Sequence, residues 1–60
     1  MTAREVMKIL RRDGWYKINQ EGSHVQFRHP SKSGKVTVSI YAGDIPPATL
    51  NSIFKQAGLK

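Results

Sequence analysis

The chain has 60 residues, with ten Lys and Arg against four Asp and Glu, two histidines and no cysteine, giving a formal net charge of +6. That length supports one domain, residues 1–60, with a modest core; the missing cysteines exclude a disulfide framework and a thiolate metal site, and two histidines with four carboxylates do not readily build a closed zinc centre. No apolar run approaches the ~20 residues of a membrane span and no signal-peptide pattern is present, so the expectation is a cytoplasmic, strongly basic domain needing no metal or cofactor and suited to a polyanion, nucleic acid first.

Thr2 followed by Glu5 is a capping-box pattern, and Ala3, Val6, Met7 and Leu10 then recur at helical spacing, with Ile9 widening the stripe. This predicts a first helix over about Ala3 to Asp13, closed by Gly14 behind the basic last turn of Arg11 and Arg12. Arg4, Lys8, Arg11 and Arg12 fall at i, i+4, i+7 and i+8 and form a cationic stripe roughly opposite the apolar one. Such a stripe is ordinarily a solvated face; on a chain this basic it is also a candidate for phosphate contact.

Residues 15–20 and 24–29 read as two antiparallel strands joined by Glu21-Gly22-Ser23, the second alternating cleanly with Val25 and Phe27 inward. Pro30 to Gly34 is a turn by composition, and Lys35 to Tyr41 alternates again with Val36, Val38 and Ile40 inward. Asp44 or Thr49 is placed to cap a second helix that tolerates Pro46 and Pro47 in its first turn, buries Leu50, Ile53, Phe54 and Ala57, and ends near Gln56 or Ala57 before Gly58. The predicted fold is α+β in the order α-β-β-β-α: a three-stranded antiparallel sheet with both helices on one face, the layout of a double-stranded-RNA-binding domain.

On the open face the informative residue is His24. Parity places it with Gln26 and Arg28, opposite Val25 and Phe27, so it is accessible, whereas His29 faces the other way and cannot form a two-histidine pair with it. A lone histidine at a strand start is usually surface decoration; the functional reading is general acid or base work on the 2′-hydroxyl of RNA, for which imidazole is suited near neutral pH. Arg28, Lys17 or Lys35 would hold the phosphate, Gly22 and Ser23 would approach it at the turn, and Tyr41 shares the open face as an auxiliary contact. Trp15 and Tyr16 raise base stacking, with core packing expected of at least one of them.

The helical opening through Arg11-Arg12-Asp13-Gly14-Trp15, the run Gly22-Ser23-His24 with Phe27-Arg28-His29-Pro30, and Asp44-Ile45-Pro46, Thr49 and Ile53-Phe54-Lys55-Gln56-Ala57-Gly58-Leu59 together resemble the HicA toxins of bacterial type II toxin-antitoxin modules, over nearly the whole chain. The resemblance implies a metal-independent endoribonuclease that degrades mRNA, an mRNA interferase, with its catalytic histidine at His24 and a HicB-type antitoxin covering the site. The chain departs from the family's common pattern at Val25, where a second histidine is frequent, and at Ser39-Ile40-Tyr41. The RNA-binding residues expected are Gly22, Ser23, Arg28, Lys8, Arg11, Arg12 and Lys35; the alternatives are a non-catalytic RNA-binding module of the same fold, gripping RNA through the basic helix face, the Gly22-Ser23 turn and the start of the second helix, and a partner of an acidic protein.

Overall fold

The structure, a computed structural model, describes residues 1–40 and 42–59. Its elements are α1 (Ala3–Arg12), β1 (Tyr16–Glu21), β2 (His24–Arg28), β3 (Val36–Ser39) and α2 (Pro47–Gln56), the order expected from the sequence. The three strands form one antiparallel sheet in the order β1-β2-β3.

Both ends of α1 are closed by local chemistry. The Glu5 backbone N–H donates to the Thr2 hydroxyl at 3.3 Å while the Glu5 carboxylate accepts from the Thr2 N–H at 2.9 Å, completing the capping box. These hydrogen bonds hold the Glu5 carboxyl below its ordinary range, the backbone bond from Thr2 first among the causes. At the other end Trp15 N donates to Leu10 O at 2.9 Å and Gly14 N to Arg11 O at 3.0 Å, a Schellman ending with Gly14 at φ +106°. The second helix closes the same way, with Leu59 N on Phe54 O at 2.9 Å, Gly58 N on Lys55 O at 3.2 Å, and Gly58 at φ +71°.

The start of α2 differs from the sequence expectation. Pro46 stands at the cap with no side-chain hydrogen bond and Pro47 opens the helix. Asp44 is drawn elsewhere, pairing with the terminal ammonium of Met1 at 3.3 Å and bridging to Thr2. Thr49 lies inside the helix, and the N-terminal segment rather than a cap anchors the approach to α2.

Val6 and Leu10 of α1, Val25 and Phe27 of β2, Val36 and Val38 of β3 and Ile53 of α2 meet in one core between sheet and helices. Phe27 is fully buried and is the largest such side chain, contributing about 1.5–3 kcal/mol by removal from water. Trp15 joins this core, so of the two adjacent aromatics Trp15 is the packed one.

The helices cover β2 and β3 but not β1, all six of whose residues are exposed. Lys17 pairs in register with Phe27 and Gln20 with Val25, on the side facing the helix layer, yet both are solvated and bond each other, Nζ to Oε1, at 3.0 Å. A bulge between Lys17 and Asn19 interrupts the ladder at Ile18, which blunts this edge of the sheet. Ile40, expected to face inward, follows the last residue of β3 and is 42% exposed: once the ladder ends at Ser39, parity no longer fixes its side.

Candidate active site

The turn that presents His24 is tighter than expected. Glu21 and His24 are cross-strand partners, so the loop is the two residues Gly22 and Ser23, with Gly22 at φ +57° in the first loop position. A glycine there is the requirement of a two-residue hairpin whose twist matches the strands. The Gly22 carbonyl accepts from Gln20 Nε2 at 3.1 Å and the Ser23 carbonyl from Ile40 N at 2.7 Å, so the turn is braced from both sides. Nothing lies within 4 Å of where a Gly22 Cβ would stand, which leaves the turn open to an approaching ligand.

His24 heads β2 and is exposed, and its imidazole has no hydrogen-bond, ionic or ring partner among the described residues. In register it stands between Glu21 of β1 and Ser39 of β3, and these three residues form a carboxylate, imidazole and hydroxyl row across the sheet. That row was hidden in the sequence because Glu21 reads there as loop. The Gly-X step of a two-residue hairpin is the signal that would have placed it opposite His24.

Down the same face lie Gln26 opposite Asn19 and Thr37, then the exposed Arg28 opposite Tyr16. Lys35 immediately precedes β3 at the Arg28 end of the sheet. The structure therefore brings Gly22 and Ser23 to His24 at one end of this face and sets Arg28 and Lys35 at the other. It does not bring Lys8, Arg11 and Arg12 to them. These three are exposed on α1, whose buried stripe packs against the opposite side of the sheet, so they form a separate cationic surface. Tyr41 lies outside the described residues.

His29 has a structural task. Its Nε2 lies 2.6 Å from the Asp13 carbonyl, and since a carbonyl only accepts, Nε2 carries the proton. Its Nδ1 accepts from the backbone N–H groups of Ser31 at 3.1 Å and Lys32 at 3.2 Å, and its ring meets Trp15 edge-on at a centroid distance of 5.2 Å. Beside it, Lys32 Nζ reaches Asp13 Oδ2 at 2.5 Å and Ala57 O at 3.0 Å, tying the loop after β2 to the C-terminal ends of both helices. The Lys32 hydrogen bond is the main reason the Asp13 carboxyl sits below its ordinary range. His29 is thus committed to the fold, whereas the His24 imidazole has no partner among the described residues.

Among the described residues no group of three or more His, Asp or Glu side chains is arranged to hold a metal ion, and no helix is long and apolar enough to cross a membrane. An open apolar groove of about 300 Å³ between the helices is lined by Met1, Ile9, Phe54 and Leu59. It contains no titratable side chain and lies on the layer away from His24, so it offers contact area and no acid-base chemistry.

Comparison with known proteins gives a consistent result. The family described as the HicA toxin of bacterial toxin-antitoxin systems matches residues 3–59. A solved structure described as a toxin-antitoxin complex from Streptococcus pneumoniae contains a chain 33% identical to this one, with a TM-score of 0.83 and 98% of each chain covered. No curated protein matches.

Proposed function

Given that the chain belongs to the HicA toxin family of bacterial toxin-antitoxin systems, we propose that it is an mRNA-cleaving endoribonuclease working without a metal, with His24 as its acid-base residue. The observation that carries this reading is the exposed, unpartnered imidazole of His24 directly after an open Gly22-Ser23 turn and on one face with Arg28.

In the proposed reaction His24 takes the proton of a 2′-hydroxyl, whose oxygen then bonds to the adjacent phosphorus as the bond from phosphorus to the 5′-oxygen breaks. The leaving 5′-oxygen takes its proton from water. Gly22 and Ser23 let the backbone approach the reacting phosphoryl group closely, while Arg28, at the other end of β2, holds a neighbouring phosphate of the strand. Glu21 and Ser39 flank His24 in register but do not bond its ring, which stays free to meet the 2′-hydroxyl. Lys35 extends the phosphate-binding surface, and Lys8, Arg11 and Arg12 hold more distant RNA by charge.

The same reading gives the chain a cytoplasmic site of action and a HicB-type antitoxin partner that covers the His24 face. A toxin-antitoxin complex is what the matching solved structure is described as. The chemistry is tested by the products. Incubation of RNA with the purified chain in chelator leaves 2′,3′-cyclic phosphate and 5′-hydroxyl ends if the 2′-oxygen attacks. Ends of the 3′-hydroxyl and 5′-phosphate type would contradict the assignment.

A further inference from the structure

We propose that Tyr16 and Arg28 form a base-stacking subsite for unpaired RNA at the end of the open sheet face away from His24. The inference rests on reading that face as the RNA-cleaving face, and it adds a recognition element to it.

Trp15 and Tyr16 are adjacent but face opposite ways. Trp15 is 2% exposed, donates from Nε1 to Asp13 Oδ2 at 3.2 Å and packs on His29. Tyr16 is 49% exposed, and its ring and hydroxyl have no partner among the described residues. Its cross-strand partner is Arg28, so ring and guanidinium rise side by side from the face that carries His24. Arg28 is exposed and, among the described residues, without an ion pair.

Tyr16 offers a flat aromatic surface of the kind on which a base stacks, and Arg28 supplies the charge and fork geometry for that nucleotide's phosphate. Arg28 lies four residue steps along β2 from His24, about 13 Å at ~3.3 Å per residue, a span of roughly two to four nucleotides depending on how far the strand is unstacked. Between them Asn19, Gln26 and Thr37 present amides and a hydroxyl suited to 2′-hydroxyls and base edges. The ligand class follows from the geometry: bases in a duplex stack on one another and cannot lie on Tyr16, whereas an unpaired base can. Charge complementarity to a chain of net charge +6 favours the same occupant.

The test measures binding of a short, unstructured, 2′-O-methylated RNA, which lacks the attacking hydroxyl, to the unaltered chain and to Tyr16→Ala and Tyr16→Phe. Tyr16→Ala should weaken binding about tenfold and Tyr16→Phe should bind like the unaltered chain, because the ring is what stacks. Replacing one base by an abasic site should abolish the difference between the unaltered chain and Tyr16→Ala. Circular dichroism confirms the fold of each variant, and an exposed side chain leaves little packing to lose. Equal affinity of Tyr16→Ala and the unaltered chain would overturn the subsite while leaving the ribonuclease reading intact. So would a Tyr16→Ala chain that loses its antitoxin but keeps its RNA. Tyr16-dependent binding by a chain that cleaves nothing would uphold the subsite and remove the ribonuclease reading. No binding at all would overturn the subsite too.

Discussion

His29 Nε2 donates to the backbone carbonyl of Asp13 at 2.6 Å, so the end of β2 is fastened to the C-terminal end of α1. The contact passes directly over Gly14, where an added Cβ would stand 2.7 Å from that same Nε2. The motif Asp13-Gly14-Trp15 therefore does more than end a helix: it leaves room for the ring that holds strand to helix.

Gly14→Ala meets two obstacles, a left-handed backbone at φ +106° and the His29 ring. We expect a loss of at least about 2 kcal/mol, which in a domain this small lowers the melting temperature by roughly 8–16 °C. Gly34 also has a positive φ, +79°, but nothing lies within 4 Å of its Cβ position, so Gly34→Ala should cost only the backbone strain, about 1–2 kcal/mol. Equal losses in the two variants, measured by thermal melts, would show that the His29 contact does not constrain position 14.

Asp13 supplies a pH dependence. Its folded-state carboxyl is held below its ordinary value, chiefly by the Lys32 hydrogen bond, so on acidification the unfolded chain takes up the proton first. The stabilisation is complete above the ordinary aspartate value near ~4 and is lost as pH falls through the lower folded-state value. Urea midpoints measured from neutral to acid pH should fall less steeply for Asp13→Asn than for the unaltered chain. A residual slope remains, because Glu5 is also held low by Thr2. Parallel curves would rule out Asp13 as a source of the acid sensitivity.

The cations of α1 stand apart from His24, so under the proposed function any contribution they make to RNA binding is separable from cleavage. Log affinity for single-stranded RNA against log salt falls by about 0.7 per neutralised phosphate, and replacing both Arg11 and Arg12 by Gln should make the slope shallower by roughly 1.4. The cleavage rate at saturating RNA should be unchanged. An unaltered slope would show that this face does not touch RNA.

The features legible in the sequence are those encoded within a few residues. The Thr2 and Glu5 capping box, the glycine endings at Gly14 and Gly58 and the alternation of Val25 and Phe27 all stand where the pattern put them. Illegible were features set by partners distant along the chain. The Asp13 to His29 bond joins residues 16 apart, and Lys32 caps α2 at a carbonyl 25 residues on. Asp44 looks like a helix cap locally but is taken by the N-terminus. The candidate site divides in the same way. Parity alone separates His24 from His29, but only the register of the two-residue hairpin sets Glu21 beside His24. Only the packing of the helices shows that α1 turns Lys8, Arg11 and Arg12 away from that face.

The central claim, that His24 performs the proton transfer, is tested most directly by His24→Ala assayed side by side for RNA cleavage in chelator and for binding of 2′-O-methylated RNA. An exposed side chain with no partner can be removed without unfolding the domain. The account predicts that cleavage falls by about 10²–10⁴-fold while binding stays within a few-fold of the unaltered chain. Cleavage that survives the substitution undiminished would contradict it.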